Sequence, residues 1–428
     1  MIFSKPIFTS LSPNTEKNDI LLALKLILKP WQWKTGIKNQ GLGIKNLEKE
    51  FKNYLGLKHA LSFNSGRAAF LAILNSLNLE KGSEVLIQAF TCNAAVNPVI
   101  WSGFKPVFVD IDKKTLNIDP DDLERKITSK SKVVLAQHTF GLPANLERIL
   151  EICKRHNLIL IEDCAHSLEA TLKGKKIGTF GEAAFFSFGR DKIISSVYGG
   201  MAVTNDDLLA KKIKDFQEKL YYPSNFWVFQ QLLHPILTNF LIIPLYGFFG
   251  LGKWVLLLFQ KLKILSKAVH KKEKQGKRPA YILKKMPNAL AILALNQFKK
   301  LERFNTHRKE IAEFYDENLR NLRLVLPQKT PDRIYMRYSV LIEDKNTDEI
   351  LKKARKQKIF LDDGWRKTPI VPHDTNQVKM GYTQGTCSQA ENIARSILNL
   401  PTHINISKQD AEKIMKCLNK VITFGQPS

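Results

Sequence analysis

From about Gly43 onward, the hydrophobic positions of the chain switch repeatedly between two spacings. In the stretch GIKNLEKEFKNYLG, Leu47, Phe51 and Leu55 recur at the spacing of one helix face, which predicts an amphipathic helix. Short and nearly continuous apolar runs such as EVLIQAF, KPVFVDID and LILIEDCAHS instead predict buried strands. The runs AAFFSF and GGMAVTN predict two more strands. Helix and strand patterns therefore alternate along this part of the chain.

This alternation predicts an α/β fold. Strands that alternate with helices favour a mostly parallel central sheet with helices on both faces. Ligands of such sheets bind outside the carboxyl ends of the strands. Ser65, Asp163 and Ser187 all fall at or just beyond predicted strand ends, so we expect them to meet at one edge of the sheet.

The character of the pattern changes after Pro279. A long amphipathic helical pattern, ALAILALNQFKKLERFNTHRKEIAEFYDENL, is followed by a strand-like MRYSVLIED and by further helical patterns, which is typical of a smaller α+β domain. We therefore predict three parts. They are an N-terminal arm with a large domain over residues 1–221, an insertion over residues 222–278, and a connecting helix with a small domain over residues 279–428.

The insertion is unusually apolar. Residues 220–252 contain no Lys, Arg, Asp or Glu, and a strongly basic stretch follows them. About 20 apolar residues are enough to span a bilayer. However, prolines and glycines interrupt this run, and predicted globular domains lie on both sides of it, which excludes a single span.

We expect this segment to form a re-entrant hairpin or interfacial helices, with its basic part at anionic headgroups. The alternative is a helical insertion packed on protein. Because Ser65, Asp163 and Ser187 lie outside the segment, we also expect that a short polar loop could replace it without loss of ligand binding at the edge of the sheet.

The formal net charge of +26 favours polyanionic partners such as anionic lipid or phosphorylated substrates. The alternative is a lysine-rich but merely solvated surface, and we expect no specific nucleic-acid partner. The five cysteines have no C-x-x-C spacing, so neither a disulfide framework nor a metal site is predicted. No signal-peptide pattern opens the sequence, so we expect a cytoplasmic protein, peripheral or monotopic on the inner face of the cell membrane.

The polar strand ends carry the candidate chemistry. In SFNSGRAAF, Ser65 and Gly66 precede a predicted helix, whose free amides favour phosphate. Asp163 follows a hydrophobic strand, where a carboxylate is costly without a cationic partner. Ser187 and Lys192 follow the next strand. Each feature alone has an ordinary structural explanation: a Ser-Gly turn, a helix-capping Asp or a solvated loop lysine. Together they are a phosphate cradle, a carboxylate for a ring nitrogen and a lysine for an imine, the set that pyridoxal phosphate needs.

Eight motifs occur in an order that resembles a known family. They are SGRAAF, GSEVLIQAFTCNAAVNPVI, PVFVDIDKKTLNIDP, HTFGLPANLERI, IEDCAHSLEA, FSFGRDKIISSVYGG, LNQFKKLERFNTHRKEIAEFY and AENIARSILNLPTH. Over about residues 43–422, apart from the apolar segment, the sequence is similar to the DegT/StrS-type sugar aminotransferases. These are fold-type-I enzymes that depend on pyridoxal 5′-phosphate.

The resemblance implies a role for each candidate residue. Lys192 takes the position of the Schiff-base lysine, Asp163 that of the partner of the pyridine nitrogen, and His166 that of a Gln or His near the ring hydroxyl. The residues that fall where the family binds the phosphate are Gly66, Arg67 and Ser187.

The chain departs from the family pattern at four places. Arg67 stands where the family has Thr or a small residue, and it would be a counter-charge to the phosphate. Cys92 stands where the ring-stacking aromatic is usual, so we expect Phe90 to supply that ring from nearby. Leu283 replaces an Asn that the partner subunit lends, so that phosphate contact is expected to be lost. The stretch DDGWRKTPIVP replaces a family H-Y-P stretch that faces the substrate.

We therefore predict a homodimeric aminotransferase with active sites between subunits. It would pass an amino group from an amino acid, glutamate, to a nucleotide- or lipid-linked keto-sugar in cell-surface polysaccharide or glycolipid biosynthesis. One alternative is a sugar dehydratase on the same scaffold, against which Lys192 argues, because the relatives of that type carry His there. The other is a degenerate, membrane-bound binding or regulatory protein, which Arg67, Cys92 and Leu283 favour.

Overall fold

The computed structural model of the chain describes residues 5–34, 41–248, 250–320, 324–342 and 347–423. The strands are β1 Ile7–Phe8, β2 His59–Phe63, β3 Glu84–Gln88, β4 Thr91–Cys92, β5 Lys105–Val109, β6 Ser131–Gln137, β7 Ile159–Asp163, β8 Thr171–Leu172, β9 Lys175–Lys176, β10 Ala183–Ser187, β11 Gly200–Thr204, β12 Leu324–Val325, β13 Tyr338–Ile342, β14 Ile359–Phe360, β15 Ile370–Val371 and β16 Ile397–Leu400.

The α-helices are α1 Lys17–Ile27, α2 Leu42–Leu55, α3 Gly66–Ser76, α4 Asn93–Trp101, α5 Pro120–Arg125, α6 Leu146–His156, α7 Asp207–Glu218, α8 Asn225–Leu237, α9 Ile243–Tyr246, α10 Leu251–Lys261, α11 Asn288–Phe298, α12 Leu301–Asn318, α13 Thr347–Lys356, α14 Ser388–Ser396 and α15 Lys408–Thr423. A π-helical turn at Thr238–Ile242 joins α8 to α9. Short 3₁₀ helices lie at Pro30–Gln32, Thr139–Gly141, Glu273–Gln275 and Val378–Met380.

A seven-stranded sheet in the order β2-β11-β10-β7-β6-β3-β5 forms the centre of the molecule. Strand β11 is antiparallel to both of its neighbours, and the remaining pairs are parallel. The adjacent residues Phe185 and Phe186 of β10 pack into separate hydrophobic clusters, because neighbouring side chains point to opposite faces. Strands buried on both faces are apolar throughout, which is why AAFFSF shows no alternation. The predicted fold class, a mostly parallel sheet flanked by helices, is confirmed.

The C-terminal part is built on a smaller antiparallel sheet in the order β12-β13-β16. Its side chains form a hydrophobic cluster of their own with α12, α13 and α15. The N-terminal arm joins this part, since β1 pairs in parallel with β14. Strand β4 likewise pairs with β15 beside the carboxyl edge of the large sheet. The three predicted parts and their bounds stay a prediction, although the arm itself contacts the C-terminal part.

The apolar insertion folds as helices against the protein. The continuous helix Asn225–Tyr246 is long and apolar enough to cross a membrane, and 44% of its most apolar stretch is buried inside the protein. Its first half packs on α1 and α11, and α10 turns back onto its second half. Gly252 permits that turn, since a Cβ there would lie 2.2 Å from the carbonyl oxygen of Ile242. Much of the face that α8 would need for lipid is therefore occupied by protein.

Candidate active site

A cavity of about 600 Å³ opens at the carboxyl edge of the seven-stranded sheet. The predicted residues that line it are Gly66, Arg67, Cys92, Asp163, His166, Ser187 and Lys192. Ser65 lines it as well. Strands β2, β7 and β10 end at this edge. Ser65, Asp163 and Ser187, which follow or end these strands, meet there as predicted. The N-terminal arm, the insertion and the C-terminal part complete the walls.

The phosphate cradle is the turn from β2 into α3. The Oγ of Ser65 accepts a hydrogen bond from the amide of Ala68 at 3.1 Å and caps the helix. The backbone of β11 runs against this turn so closely that a Cβ on Gly200 would lie 2.4 Å from the amide nitrogen of Gly66. A Cβ on Gly66 would in turn lie 2.9 Å from the Cβ of Ser187. Only glycines fit these two positions, and their absent side chains leave the helix amides open to an anion.

Asp163 is the last residue of β7 and is buried at the base of the cavity. Its Oδ1 accepts the amide of Ala165 at 2.9 Å, and no other hydrogen bond to this carboxylate occurs among the described residues. Burial raises the pKa of Asp163, against the opposing effects of the Ala165 amide and the charge of Lys192. A buried carboxylate with unused acceptor capacity suits a protonated ring nitrogen.

Lys192 and His166 lie in direct contact. The Nζ of Lys192 is 2.9 Å from Nε2 of His166. The imidazole stacks on the ring of Phe140 at 5.5 Å and 5°, and Trp365 meets it edge-on at 4.9 Å. Burial, followed by the charges of Lys192 and Arg337, holds the pKa of His166 well below its usual range. The ring is therefore neutral and held by aromatic packing.

The structure separates Phe90 from the cavity. Its side chain is fully buried in the core, and it contacts Trp365 and Phe140 from behind, at 5.6 and 6.3 Å. Phe90 is not among the residues that line the cavity, so its expected stacking role stays a prediction. Trp365, from the DDGW stretch, does line the cavity, where it meets the ring of His166 edge-on. Cys92 lines the cavity too, where it caps α4, and burial raises its pKa.

Arg67 does not stand alone at the cradle. Its Nη1 forms an ion pair with the fully buried Glu273 of the insertion, and its Nη2 donates to the carbonyl oxygen of Ala268 at 3.3 Å. Burial opposes the charge of Arg67, but the carboxylate of Glu273 outweighs it and raises the pKa of Arg67. The hydroxyl of Tyr198 donates to the carbonyl oxygen of Lys267. We call residues 266–273 the strap, because they tie the insertion to the cradle.

The insertion is part of the site. Its residues on the cavity wall are His234, Tyr246, Lys253, Leu256, Gln260, Ala268 and Val269. The expectation that a polar loop could replace residues 222–278 without loss of cofactor binding is therefore not supported by the structure. The candidate residues do lie outside the segment in sequence, but Arg67 depends on Glu273 in space. No pattern in the sequence links two residues 206 positions apart.

Sequence reasoning missed a second charged cluster on the cavity. The buried guanidinium of Arg337 lies between Asp363, at 3.2 Å, and Asp191, at 3.6 Å. Both carboxylates line the cavity, and Asp191 precedes Lys192 in the chain. Burial chiefly opposes the charge of Asp191, but Lys192 and Arg337 outweigh it and lower its pKa. The DDGW stretch was the one available signal, since it departs from the family pattern.

A buried cluster of metal-ligand types, His138, Glu162 and Cys164, lies below the site. Nε2 of His138 is 3.3 Å from Glu162, and the same carboxylate accepts the amides of Gly178, Phe180 and Gly181 at 2.7 to 2.9 Å. These contacts use the acceptor capacity of Glu162 for the protein's own backbone. The cluster is accounted for as a structural hydrogen-bond network.

The residues present fit pyridoxal phosphate. Any Cβ on Gly66 or Gly200 would fill the space of the cradle. Asp163 retains acceptor capacity for a ring nitrogen. Nδ1 of His166 is buried without a hydrogen-bond partner among the described residues. A lysine amine, a buried carboxylate and an anion cradle on one edge of a parallel sheet define a pyridoxal-phosphate-dependent transferase of this fold class.

The chain belongs to the DegT/DnrJ/EryC1/StrS aminotransferase family, whose family model matches residues 15–226 and 258–419. The unmatched residues between these ranges are most of the apolar insertion. The chain is 28% identical to the GDP-perosamine synthase of Caulobacter vibrioides, over 91% of this chain and 92% of that protein. It is 27% identical to the spore coat polysaccharide biosynthesis protein SpsC of Bacillus subtilis, over 91% and 92%.

Solved structures share the fold. DesI, in the presence of its TDP-sugar product, matches with a TM-score of 0.75 at 20% identity, over 99% of this chain and 95% of that chain. The Helicobacter pylori aminotransferase PseC matches with a TM-score of 0.75 at 22% identity, over 98% and 100%. The predicted family, fold type and class of enzyme, an aminotransferase, are thus confirmed, as is pyridoxal phosphate as the cofactor of the family.

Proposed function

We propose that this chain transfers an amino group from an amino acid, glutamate, to a keto-sugar carried on a nucleotide or a lipid. The products would serve cell-surface polysaccharide or glycolipid biosynthesis. One observation carries the proposal: Lys192 lies within hydrogen-bond distance of His166 on a cavity that Asp163 and the glycine cradle also line. The curated relatives include GDP-perosamine synthases and a dTDP-amino-sugar transaminase, which supports a sugar as the acceptor.

Each residue has a chemical task in this proposal. When bound, pyridoxal phosphate supplies an electron sink for the carbon that gains or loses the amine. Asp163 holds the ring nitrogen in its protonated form through charge. The Nζ of Lys192 moves protons at the reacting carbon, and the neutral Nε2 of His166 orients that amine by accepting its hydrogen bond. The cradle from Ser65 to Arg67 orients the cofactor through its phosphate.

A dehydratase on the same scaffold is not favoured. The dehydratase from Escherichia coli that acts on GDP-4-keto-6-deoxy-D-mannose matches this chain at 21% identity with a TM-score of 0.73, which concerns the fold alone. The argument against this activity is Lys192 itself, because a lysine can return a proton and also hold the cofactor, which amino transfer requires. The degenerate binding protein is disfavoured for the same reason: the chemical groups at the edge of the sheet are intact.

We also propose that the chain works in the cytoplasm as a homodimer on an anionic membrane surface. The support is two exposed apolar faces. Helix α10 and its C-terminal cap expose Leu251, Trp254, Leu257, Leu258 and Leu262, and a basic segment follows. Helix α1 and the turn after it expose Leu21, Leu24, Leu28 and Trp31. We assign the α10 face to lipid, since lysines surround it, and the α1 face to the second subunit.

The test of the activity is a transamination panel. Purified protein loaded with pyridoxal phosphate is incubated with glutamate and with keto-sugars linked either to nucleotides or to polyisoprenyl diphosphate, and amino-sugar products are identified by mass spectrometry. We expect a product from at least one panel, with loss of glutamate in equal amount. Dehydration without amino transfer would instead support the dehydratase, and a protein that binds no cofactor would support the binding protein.

A further inference from the structure

Arg190 is a cationic residue on the cavity to which neither sequence reasoning nor the comparisons give a role. It lies two positions before Lys192 and lines the cavity beside the cradle. Its Nη2 donates to the Oγ of Ser266 in the strap, and that hydroxyl donates to Gln231 at 2.7 Å. Its Nε is buried without a hydrogen-bond partner among the described residues.

Arg190 and Arg67 form a pair around one ring. Their guanidinium carbons lie 5.5 and 5.9 Å from the centroid of Tyr198. Arg67 is neutralised by Glu273, whereas no carboxylate in the described part of the chain lies within ion-pair distance of Arg190. Burial, together with the charge of Arg67, lowers the pKa of Arg190. Burying a guanidinium without a counter-charge costs free energy, and an anion that binds next to Arg190 would offset that cost.

We propose that Arg190 binds the phosphate group of the cofactor and supplies the positive charge that Arg67, already paired, does not. This inference rests on the proposed function, because it takes pyridoxal phosphate as the cofactor. A phosphate bound at the cradle carries nearly two negative charges. The charges of Arg67 and Glu273 nearly cancel, so this pair offers the phosphate almost no net positive charge. The helix amides offer about half a positive charge. Arg190 supplies a full charge and several donors at the same end of the cavity.

The cofactor phosphate is favoured over a phosphate of the sugar carrier by position. Gly189, next to Arg190, lies against Ser187, since a Cβ on Gly189 would be 3.5 Å from the Oγ of Ser187. Tyr198, which Arg190 covers, leads directly into Gly199 and Gly200, and Gly200 packs on the cradle amide. Arg190 therefore belongs to the cradle end of the cavity rather than to its mouth, where Lys253 and Arg355 lie exposed.

The test compares two forms of the cofactor that differ only in the phosphate. Dissociation constants for pyridoxal phosphate and for pyridoxal are measured by absorbance for wild type, Arg190→Gln and Arg190→Lys. We expect Arg190→Gln to weaken pyridoxal phosphate about 10- to 100-fold and pyridoxal less than about twofold. Arg190→Lys keeps the charge but loses the fork of donors, so a smaller loss is expected. The matched control is Arg148→Gln, an exposed arginine on α6 that pairs with Asp121.

Each outcome decides between explanations. Equal weakening of both ligands by Arg190→Gln means that Arg190 only packs on Tyr198, and it overturns the inference. Unchanged cofactor affinity with a raised KM for the sugar substrate assigns the anion to the sugar carrier and also overturns it. If Arg190→Gln does not fold, Arg190→Lys tests the fork of donors alone: it should weaken pyridoxal phosphate but not pyridoxal, and equal effects on both ligands overturn the inference. If wild type binds neither ligand, the proposed function itself fails. If wild type binds pyridoxal phosphate and the variants bind it equally well, this inference alone is refuted.

Discussion

The Nζ of Lys192 lies 2.9 Å from Nε2 of His166, and the imidazole is clamped between Phe140 and Trp365. The contact joins a residue after β10 to a residue after β7, two neighbouring parallel strands. Because burial keeps His166 neutral, its Nε2 can accept a hydrogen bond from the lysine amine. The neutral imidazole thus orients the amine of Lys192 towards the cavity and adds no second positive charge beside it.

The first prediction concerns Lys192 as the point of covalent attachment. Borohydride reduction of the loaded protein should fix the cofactor to a peptide that contains Lys192, because its amine is the one aimed into the cavity beside Asp163. Mass spectrometry of the digest checks this. Lys192→Ala should bind the cofactor only reversibly, and a variant that still yields a borohydride-fixed cofactor on another lysine would refute the assignment. An exposed lysine, Lys132→Ala, serves as the control.

The second prediction separates the charge of Asp163 from its shape. Asp163→Asn should lower the transamination rate about a thousandfold, because the amide cannot keep the ring nitrogen protonated. The cofactor-free variant should nevertheless unfold at the same Tm as wild type or a higher one at pH 7. Burial raises the pKa of Asp163, so its charged form costs stability above the ordinary pKa of an Asp, and Asn removes that cost. Activity within a few-fold of wild type would remove Asp163 from the site.

The third prediction concerns the buried ion pair between Arg67 and Glu273. Glu273→Gln leaves Arg67 buried without a counter-charge, so the free energy of unfolding should fall by about 3 kcal/mol. Urea denaturation measures the change. Lys274→Gln is the matched control at the next position, where the pair with Asp374 is partly exposed and should contribute less than about 1 kcal/mol. Equal effects of the two substitutions would show that the strap does not depend on this pair.

The fourth prediction is a pH dependence that arises from His403. Its Nε2 lies 2.8 Å from the carbonyl oxygen of Phe8, and burial chiefly lowers its pKa to about 3. A histidine that is neutral in the folded state stabilises the protein above its unfolded pKa of about 6.5, and this stabilisation is lost as the pH falls towards 3. Between pH 7 and pH 5, wild type should lose about 2 kcal/mol more than His403→Gln.

Chemical denaturation at several pH values tests this difference. Gln can still donate to the Phe8 carbonyl, so the N-terminal arm keeps its contact with the C-terminal part. His373→Gln, at an exposed position, should leave the slope unchanged. The same slope for wild type and His403→Gln would mean that other buried groups govern the acid sensitivity.

The fifth prediction concerns the exposed face of α10. Trp254 and Leu258 are 66% and 50% exposed. Replacing both with Ser should weaken binding to vesicles that contain anionic lipid by at least about tenfold, since each large apolar side chain contributes about 1.5–3 kcal/mol when fully buried. Sedimentation with vesicles measures this, at low and high salt. Leu208→Ser is the control, because it changes a leucine on α7 that is 73% exposed. Wild type that does not bind the vesicles would refute the membrane proposal.

The sequence by itself determined the large sheet and the chemical residues at its edge. Continuous apolar runs specify strands buried on both faces, and parallel strands necessarily bring their carboxyl ends together, so Asp163, Ser187 and Lys192 could be assigned without coordinates. Ser65 was assigned from a local signal as well, because small residues before a predicted helix leave free backbone amides that favour an anion.

Only the tertiary structure decided which distant residues complete the site. Glu273 reaches Arg67 across 206 positions, and Trp365, rather than Phe90, lines the cavity near His166. Periodicity reports whether a residue is buried, but it does not report which cluster receives the side chain, and Phe90 turned into the core. The same limit applies to the apolar insertion. Its hydrophobicity predicts that its side chains are buried, but only the packing of its helices decides whether lipid or protein buries them, and here part of it forms a wall of the cavity.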